Sequence, residues 1–262
     1  MHITILTLFP DMLSPFVNES IIKHAQENKA VKIKIVPLRN FAKDTHGTVD
    51  GRPYGGGAGM VMRVDIIAQA LMSISKSKIH ALPAGKRNPK QKIILTSAKG
   101  KPFNQAKAQE LSQLDHIIII AGHYEGVDER VIDSIDEEVS IGDFVLTGGE
   151  IPTAVIIDSV VRLLPGVLKK QEATEEESFF SVPLDELKQV VGETEILKTI
   201  TTPTVQLLEY PHYTRPEHYE GKNVPEILLS GNHEKIRTWR LAQAYAQTIK
   251  KRPDLLAIKA KE

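Results

Sequence analysis

Short runs of β-branched residues alternate with helical patterns through the first 165 residues of the chain. Five runs predict strands, over His2–Leu8, Val31–Leu38, Lys92–Ser97, His116–Ala121 and Glu137–Ile141. The segments around them predict helices over Ser14–Asn28, Asp65–Ser75, Asn104–Leu114, Val127–Ile135 and Ile151–Leu164. Because strands and helices alternate, we expect an α/β fold built on a mostly parallel sheet. The run Ile117–Ile120 is apolar at every position, as expected of a central strand covered on both faces.

Glycines follow the last three predicted strands. They are Gly100, then Gly122 and Gly126, then Gly142, Gly148 and Gly149. In an open α/β sheet, ligands bind outside the carboxyl ends of the strands, where glycine lets the backbone approach the ligand closely. Any one of these loops is explained by an ordinary turn glycine. Their joint placement favours one shared pocket within residues 97–149.

Several site classes are excluded by what the sequence lacks. The first glycine is Gly47, so no glycine fingerprint follows the first strand, as dinucleotide binding would require. No GxxxxGK[ST] phosphate loop and no HExxH zinc motif is present. The 262 residues include no cysteine, which excludes disulfides, thiol nucleophiles and cysteine-ligated metals. With no signal peptide pattern and no apolar run long enough to span a membrane, we expect a cytoplasmic protein without membrane contact.

A second glycine cluster lies in the loop Arg52–Met60, which places four glycines within five positions. Such a loop is costly to order, so one interpretation is a segment that orders over a substrate, with Tyr54 stacking on a base. The other is a flexible connection between helical segments.

Three charged features are candidates for chemistry. Arg162 lies on a helix that is apolar on nearly all sides, which requires a partner such as Asp158 or a functional role. Four carboxylates fall within Glu172–Glu177; this pattern is typical of a solvated stretch, but a carboxylate held near an arginine could also act as a general base. Glu125 lies in the glycine-flanked loop of the predicted pocket.

The rest of the chain is predicted to contain a linker and a second domain. Residues 166–208 are interpreted as an interdomain linker with an inserted element, because the stretch from Glu172 to about Leu208 is acidic and poorly periodic; Leu184–Val191 within it could form a short helix. Residues 209–262 are predicted to form a small all-α C-terminal domain with one strong helix, His233–Lys250.

The chain has 33 basic and 33 acidic residues, so its formal net charge is zero. The charges are nevertheless arranged in blocks: residues 66–109 contain nine basic residues and no acidic one, whereas residues 122–150 contain nine acidic residues and one arginine. The zero net charge therefore argues against a nucleic-acid-binding protein held by bulk positive charge. A phosphate backbone could still bind locally to the basic segments.

Six segments together resemble the TrmD family of bacterial tRNA (guanine-N1)-methyltransferases, which belongs to the SPOUT class. They are TVDGRPYGGGAGM (48–60), AGHYEGVDERV (121–131), SIGDFVLTGGE (140–150), IDSVVRLLPGVL (157–168), PHYTRP (211–216) and LLSGNHEKIRTWR (228–240). The resemblance covers about residues 1–179 and 209–255 in family order, and the combined set is highly specific.

The resemblance implies a homodimer with its active site at the subunit interface, using S-adenosylmethionine as methyl donor and tRNA as substrate. It implies a SPOUT methyltransferase domain over residues 1–165, whose parallel sheet ends in a C-terminal trefoil knot with loops at about 95–150, and a helical tRNA-binding domain over 209–262. No metal ligand is assigned, and a role for Mg²⁺ is left open.

Site residues follow by matching motif positions. The donor-binding positions are Thr96, Ser97, Gly122, Gly126, Ile141, Gly142, Asp143, Phe144, Val145, Leu146, Gly148 and Gly149. The substrate-binding candidates are Asp50, Tyr54, Gly59 and Glu125.

The implied reaction is methyl transfer to N1 of guanosine 37, on the 3′ side of the anticodon. N1 carries a proton, so a base must remove it while a cation stabilises charge developing at O6. The resemblance assigns the cation to Arg162 and the base to Glu177, where the family has aspartate. Further departures are Gly51, often a second aspartate in the family, Ala58, usually proline, and residues 180–208, which are longer than the usual linker.

Two alternatives remain open from the sequence. One is a SPOUT RNA methyltransferase with a different target base, against which the PHYTRP and SGNH segments argue. The other is a tRNA-binding or donor-binding protein with weakened catalysis, suggested by the glutamate at position 177.

Overall fold

A computed structural model of the chain describes residues 1–74, 89–168 and 177–256. They form two compact units, Met1–Lys169 and Lys170–Glu262. The predicted helix end at Ser75 and most of the acidic stretch, including Glu175 and Glu176, lie outside the described residues.

The first unit is built on a five-stranded sheet whose paired strands are all parallel. Its strands follow the spatial order β2-β1-β6-β5-β7. A separate antiparallel pair, β3 and β4, comes from the glycine-rich segment. The described strands of this unit are β1 His2–Thr7, β2 Lys32–Pro37, β3 Asp50–Gly51, β4 Val61–Met62, β5 Gln91–Pro102, β6 His116–Ala121 and β7 Glu137–Ser140.

Both faces of this sheet are covered by core side chains, because consecutive residues of a strand point to opposite faces. In β6, Ile117 and Ile119 lie in one apolar cluster, and Ile118 and Ile120 lie in the other. All four are buried. The predicted parallel α/β sheet, with β6 as a strand covered on both faces, is confirmed.

The helices of the first unit agree with the predicted ones in place but differ in detail. They are α1 Pro10–Val17, α2 Ser20–Glu27, α3 Val64–Ile74, α4 Gln105–Ser112 and α5 Glu150–Val161, with 3₁₀ helices at Leu38–Phe41 and Glu129–Ser134. The single helix predicted over Ser14–Asn28 is two helices, because Glu19 has an extended backbone. The segment predicted as a helix over Val127–Ile135 forms the second 3₁₀ helix.

His116 at the start of β6 gives a pH-dependent contribution to stability. Its Nε2 lies 3.0 Å from Thr4 Oγ1, and its ring meets the edge of the His2 ring. Burial, with a smaller effect from His2, lowers the pKa of His116 below its ordinary value. The unfolded chain therefore binds the proton more readily, so this stabilisation is present above the unfolded pKa of roughly 6.5 and is lost as the pH falls.

We expect His116→Gln to flatten the pH dependence of the unfolding free energy between about pH 7 and 5, because glutamine keeps a polar contact for Thr4 but does not titrate there. Urea unfolding at a series of pH values measures this. His24→Gln is the control, since the His24 side chain is 69% exposed. If the unfolding free energy of wild type and of His116→Gln changed equally with pH, the pH dependence would not come from His116.

The second unit contains strands as well as helices. Its described elements are β8 Phe180–Pro183, α6 Leu184–Val191, α7 Glu195–Thr199, β9 Thr204–Leu207, β10 His218–Tyr219, β11 Lys222–Asn223, α8 Glu226–Leu229, α9 His233–Lys251 and a 3₁₀ helix at Pro253–Leu255. The strands form two antiparallel pairs, β8 with β9 and β10 with β11. Within residues 209–262, for which an all-α domain is predicted, the described elements are helical except for the two-residue strands β10 and β11.

Residues 180–207, predicted to be part of a linker, belong to the core of the second unit. Val182, Leu187 and Leu207 are buried in one cluster with Leu241 and Tyr245 of α9. Leu184–Val191 is amphipathic and forms the predicted short helix, but the helix on which its apolar side chains pack, α9, lies outside the segment. Within the described ranges, no helix is long and apolar enough to cross a membrane.

Candidate active site

A cavity of about 310 Å³ lies at the carboxyl edge of the parallel sheet. Its walls come from the ends of β5, β6 and β7 and from the loops that follow them, within residues 95–99, 122–127 and 138–149. Parallel strands end at the same edge, so glycine loops that are distant in the sequence meet there. The cavity has the size expected for a small-molecule site.

The structure gathers eleven of the twelve predicted donor-binding residues around this cavity. They are Thr96, Ser97, Gly122, Gly126, Ile141, Gly142, Phe144, Val145, Leu146, Gly148 and Gly149. The twelfth, Asp143, is exposed and does not line the cavity. The shared pocket that the glycine placement predicts is therefore present as a cavity.

Close backbone packing explains why glycine occupies positions 122 and 149. Gly149 N–H donates to the Gly122 carbonyl oxygen at 2.6 Å. A Cβ at position 149 would lie 2.5 Å from the nitrogen of Gly122, and one at position 122 would lie 2.7 Å from the carbonyl oxygen of Thr96. Neither position has room for a side chain, so the two loops hold the cavity floor by direct backbone contact.

Thr96, at the bend of β5, joins the three segments that form this floor. Its hydroxyl accepts from the Gly122 N–H at 3.2 Å and lies 3.4 Å from the Gly149 carbonyl oxygen. The register of β5 against β7 shifts between Thr96 and Lys101, so the strand bulges beside the cavity. The bulge extends β5 beyond the predicted strand Lys92–Ser97, to Pro102.

A buried carboxylate lies beneath these loops and was not identified from the sequence. Glu150, the first residue of α5, is fully buried, and its Oε1 accepts from the Thr7 hydroxyl at 2.7 Å. Its Oε2 lies 3.8 Å from Nδ1 of His123, a residue that lines the cavity. Within the part of the chain that the structure describes, neither of these two atoms has a hydrogen-bond partner. The sequence offers only an acid at a helix start, which the helix dipole alone explains.

The predicted substrate-binding residues fall into two groups. Glu125 lines the cavity. Gly59 lies against the Glu125 side chain, since a Cβ at position 59 would come 2.5 Å from Glu125 Cγ. Asp50 interacts with the hydroxyl of Tyr124, another lining residue, whose pKa is raised by burial and then by the Asp50 carboxylate. Tyr54 is fully exposed and does not line the cavity.

The comparison with known proteins decides the family. The model of the tRNA (guanine-1)-methyltransferase TrmD family matches residues 1–258 of the chain. This chain belongs to the TrmD family.

Curated relatives match over nearly the full length. The tRNA (guanine-N(1)-)-methyltransferase of Carboxydothermus hydrogenoformans is 46% identical over 260 residues, which cover 99% of this chain and 88% of the relative. The Moorella thermoacetica protein of the same name is 45% identical, covering 98% of this chain and 90% of that protein. The Clostridium botulinum Eklund 17B protein of that name is 47% identical, covering 97% and 92%.

The two residues matched to the TrmD-family reaction lie in different units of the chain. Arg162 follows α5 in the first unit, where its N–H donates to the Asp158 carbonyl oxygen at 3.2 Å. Glu177 precedes β8 in the second unit, where its carbonyl oxygen accepts from the Phe180 N–H at 3.0 Å. Neither residue lines the cavity at the sheet edge.

A metal centre has no support in the described part of this TrmD-family chain. Among residues 1–74, 89–168 and 177–256, no group of three or more histidine, aspartate or glutamate side chains is arranged to hold a metal ion.

Proposed function

We propose that the chain transfers a methyl group from S-adenosylmethionine to N1 of guanosine 37 in tRNA. The observation that carries the proposal is a coincidence of two independent results. The family match spans residues 1–258, and the donor motif of that family falls on the walls of the cavity at the sheet edge. A protein that only bound tRNA would not need a small-molecule cavity at this position.

The residues around the cavity fit the methyl donor. Volumes near 300 Å³ are at the lower end for small-molecule pockets, and this cavity is about 310 Å³. When bound, the donor supplies a methyl group activated by a sulfonium centre. The positions that would hold it, largely through their backbone, are Thr96, Ser97, Gly122, Gly126, Ile141, Gly142, Phe144, Val145, Leu146, Gly148 and Gly149, which line the cavity, together with the exposed Asp143, which does not.

Two side chains carry the acid–base chemistry of the proposal. Glu177 accepts the N1 proton of the guanine, which raises the nucleophilicity of N1. Arg162 donates hydrogen bonds toward O6, where negative charge develops. Glutamate is one methylene longer than the aspartate of the family, so the backbone at position 177 must lie about 1 Å further from the base to keep the same geometry.

The remaining substrate contacts are proposed for the glycine-rich loop and the second unit. Asp50, Tyr54, Gly59 and Glu125 face the target nucleotide, with exposed Tyr54 free to stack on a base. The second unit binds the tRNA body. We also propose that residues 95–150 form the trefoil knot of the SPOUT class and that the enzyme works in the cytoplasm, where its tRNA substrate is made.

Exposed apolar side chains support the proposed homodimer. Ile151 and Val155 are one turn apart on α5 and are 52% and 40% exposed, and Val145 in the preceding loop is 88% exposed. Met12 on α1, a helix that packs against α5, is also exposed. Apolar residues grouped in this way mark an interaction surface, and here that surface adjoins the cavity.

We expect the wild-type chain to sediment at twice the mass of one chain and Val155→Asp to sediment as a monomer with little methyl transfer, because a buried charge without a partner disrupts an apolar interface. Ile21→Asp on α2, also 40% exposed, is the matched control and should stay dimeric. A dimeric Val155→Asp protein would show that this face is not the interface.

Methyl transfer to defined transcripts tests the function directly. Purified protein is incubated with labelled S-adenosylmethionine and with one tRNA transcript carrying guanosine at position 37 or its twin carrying adenosine there. We expect label in the first transcript alone, mapped to N1 of guanosine 37. Label at another base would favour a different SPOUT methyltransferase, and tight tRNA binding without label would favour a binding protein.

A further inference from the structure

The second unit has a cavity of its own, of about 380 Å³, between β8, α6 and α9. Its lining includes Phe180 of β8, Glu186 of α6, Tyr210, and Arg237 and Arg240 of α9. None of these residues has a role in the reaction proposed above. The volume suits a planar group the size of a nucleobase with part of its ribose.

An aromatic ring and a guanidinium group lie together at this cavity. The guanidinium carbon of Arg240 lies 4.7 Å from the centroid of the Tyr210 ring. The His212 ring lies 4.8 Å from the same tyrosine ring. Tyrosine rings and guanidinium planes are the groups on which proteins stack unpaired RNA bases.

Arg240 also has a hydrogen-bonding group that lacks an acceptor. Its Nε is out of contact with water and has no hydrogen-bond partner among the described residues. An arginine N–H can only donate, and buried donors in folded proteins are nearly always satisfied. A ligand that completes this site would therefore bring an acceptor, such as a base carbonyl or ring nitrogen.

The charge at the cavity suits RNA. Arg237 and Arg240 outnumber the one carboxylate among the lining residues, Glu186. Arg237 Nη2 donates to Glu186 Oε1 at 2.6 Å, and the Arg237 side chain is 73% exposed. Because most of the Arg237 side chain is exposed, it can also reach the edge of a bound base.

We propose that this cavity binds an unstacked nucleobase of the tRNA, in addition to the guanosine that is methylated. The base stacks beside Tyr210 and Arg240, and Arg240 Nε–H donates to it. The inference rests on the proposed function because it takes tRNA as the substrate. The second unit then has a specific role, the capture of one base. Attraction to the phosphate backbone alone would need only positive surface charge and no cavity.

Matched substitutions test the stacking. We expect Tyr210→Ala and Arg240→Gln each to raise the Kd for tRNA about tenfold and to leave the Kd for S-adenosylmethionine unchanged, as is typical for loss of one stacked base. Tyr210→Phe keeps the ring and should stay within about twofold of wild type. Arg252→Gln removes the same charge from the same unit, where Arg252 pairs with Asp254, and should also have a small effect.

A measurement on the wild-type enzyme keeps the test independent of variant folding. The Arg240 Nε–H resonance, assigned by its loss in Arg240→Gln, is followed while guanosine or adenosine monophosphate is added, with inorganic phosphate as the comparison. We expect a shift with the nucleotides and not with phosphate. An equal shift with phosphate, or none with any probe, would overturn the base-binding inference.

The two proposals fail in different ways. If wild type methylates tRNA while Tyr210→Ala binds tRNA normally, the inference fails and the function stands. If wild type does not methylate tRNA but the nucleotides still shift the Arg240 signal, the proposed function fails and the nucleobase site stands.

Discussion

Gly149→Ala is expected to abolish binding of the methyl donor and to lower the stability of the first unit. The added Cβ would lie 2.5 Å from the Gly122 nitrogen and 2.9 Å from the Ala121 carbonyl carbon. Both are backbone atoms that cannot rotate away. The backbone at position 149 has φ −86° and ψ 0°, a conformation that is allowed for alanine, so the effect comes mainly from the contact.

The size of the effect follows from what must move. Overpacking of this kind costs about 1–3 kcal/mol in the free energy of unfolding. Relief of the contact pushes the loops at Gly122 and Gly149 apart, and a displacement of about 1 Å in a binding site can cost roughly 100-fold in function. Titration calorimetry with S-adenosylmethionine should therefore show a Kd at least about 100-fold higher.

Gly51→Ala is the matched control for this prediction. A Cβ at Gly51 meets no atom within 4 Å, and this backbone is not in the left-handed region. Its donor Kd and thermal midpoint should equal those of wild type. If Gly149→Ala bound the donor as tightly as Gly51→Ala does, the cavity at the sheet edge would not be the donor site.

Where local pattern and tertiary environment agree, the sequence predicts the structure closely. The strand His116–Ala121 has its predicted bounds because its four central residues are isoleucines that are buried on both faces of the sheet. The cavity was predictable for a related reason. Gly122 and Gly149 lie where two backbones touch and no side chain fits, so the positions of these glycines indicate where the loops meet.

The second unit could not be predicted in the same way. Val182 and Leu187 are buried against α9, a partner that residues 180–207 do not contain. The apolar pattern of Leu184–Val191 predicts a short helix, but it does not reveal the distant helix on which that helix packs, so the pattern alone does not distinguish a folded segment from a linker that contains a helix. The buried site at Glu150 could not be predicted from the sequence for a similar reason. Thr7 and Glu150 are 143 positions apart, and only the parallel sheet brings β1 beside the start of α5.

Arg162→Ala and Glu177→Gln are both expected to stop methyl transfer without loss of donor binding. Loss of a positioned general base typically lowers the rate by 10²–10⁴-fold, and loss of a group that stabilises developing charge lowers it by about 10²–10³-fold. Neither residue lines the donor cavity, so the Kd for S-adenosylmethionine should stay at the wild-type value. Single-turnover transfer of label to the guanosine 37 transcript measures the chemical step.

The variants also separate the two roles. Arg162→Lys keeps the positive charge but loses the planar pair of donors, so it should retain part of the activity that Arg162→Ala loses. Glu195→Gln, an exposed carboxylate of the second unit paired with Lys198, is the control for Glu177→Gln and should react at the wild-type rate.

Separate measurements of binding and chemistry distinguish a base from a structural carboxylate. If Glu177 takes the N1 proton, Glu177→Gln lowers the single-turnover rate and leaves the Kd for S-adenosylmethionine and for tRNA unchanged. A Glu177→Gln enzyme as fast as wild type, beside an inactive Arg162→Ala enzyme, would contradict the assignment. The base would then be sought at Glu175 or Glu176, the two carboxylates directly before Glu177 in the sequence.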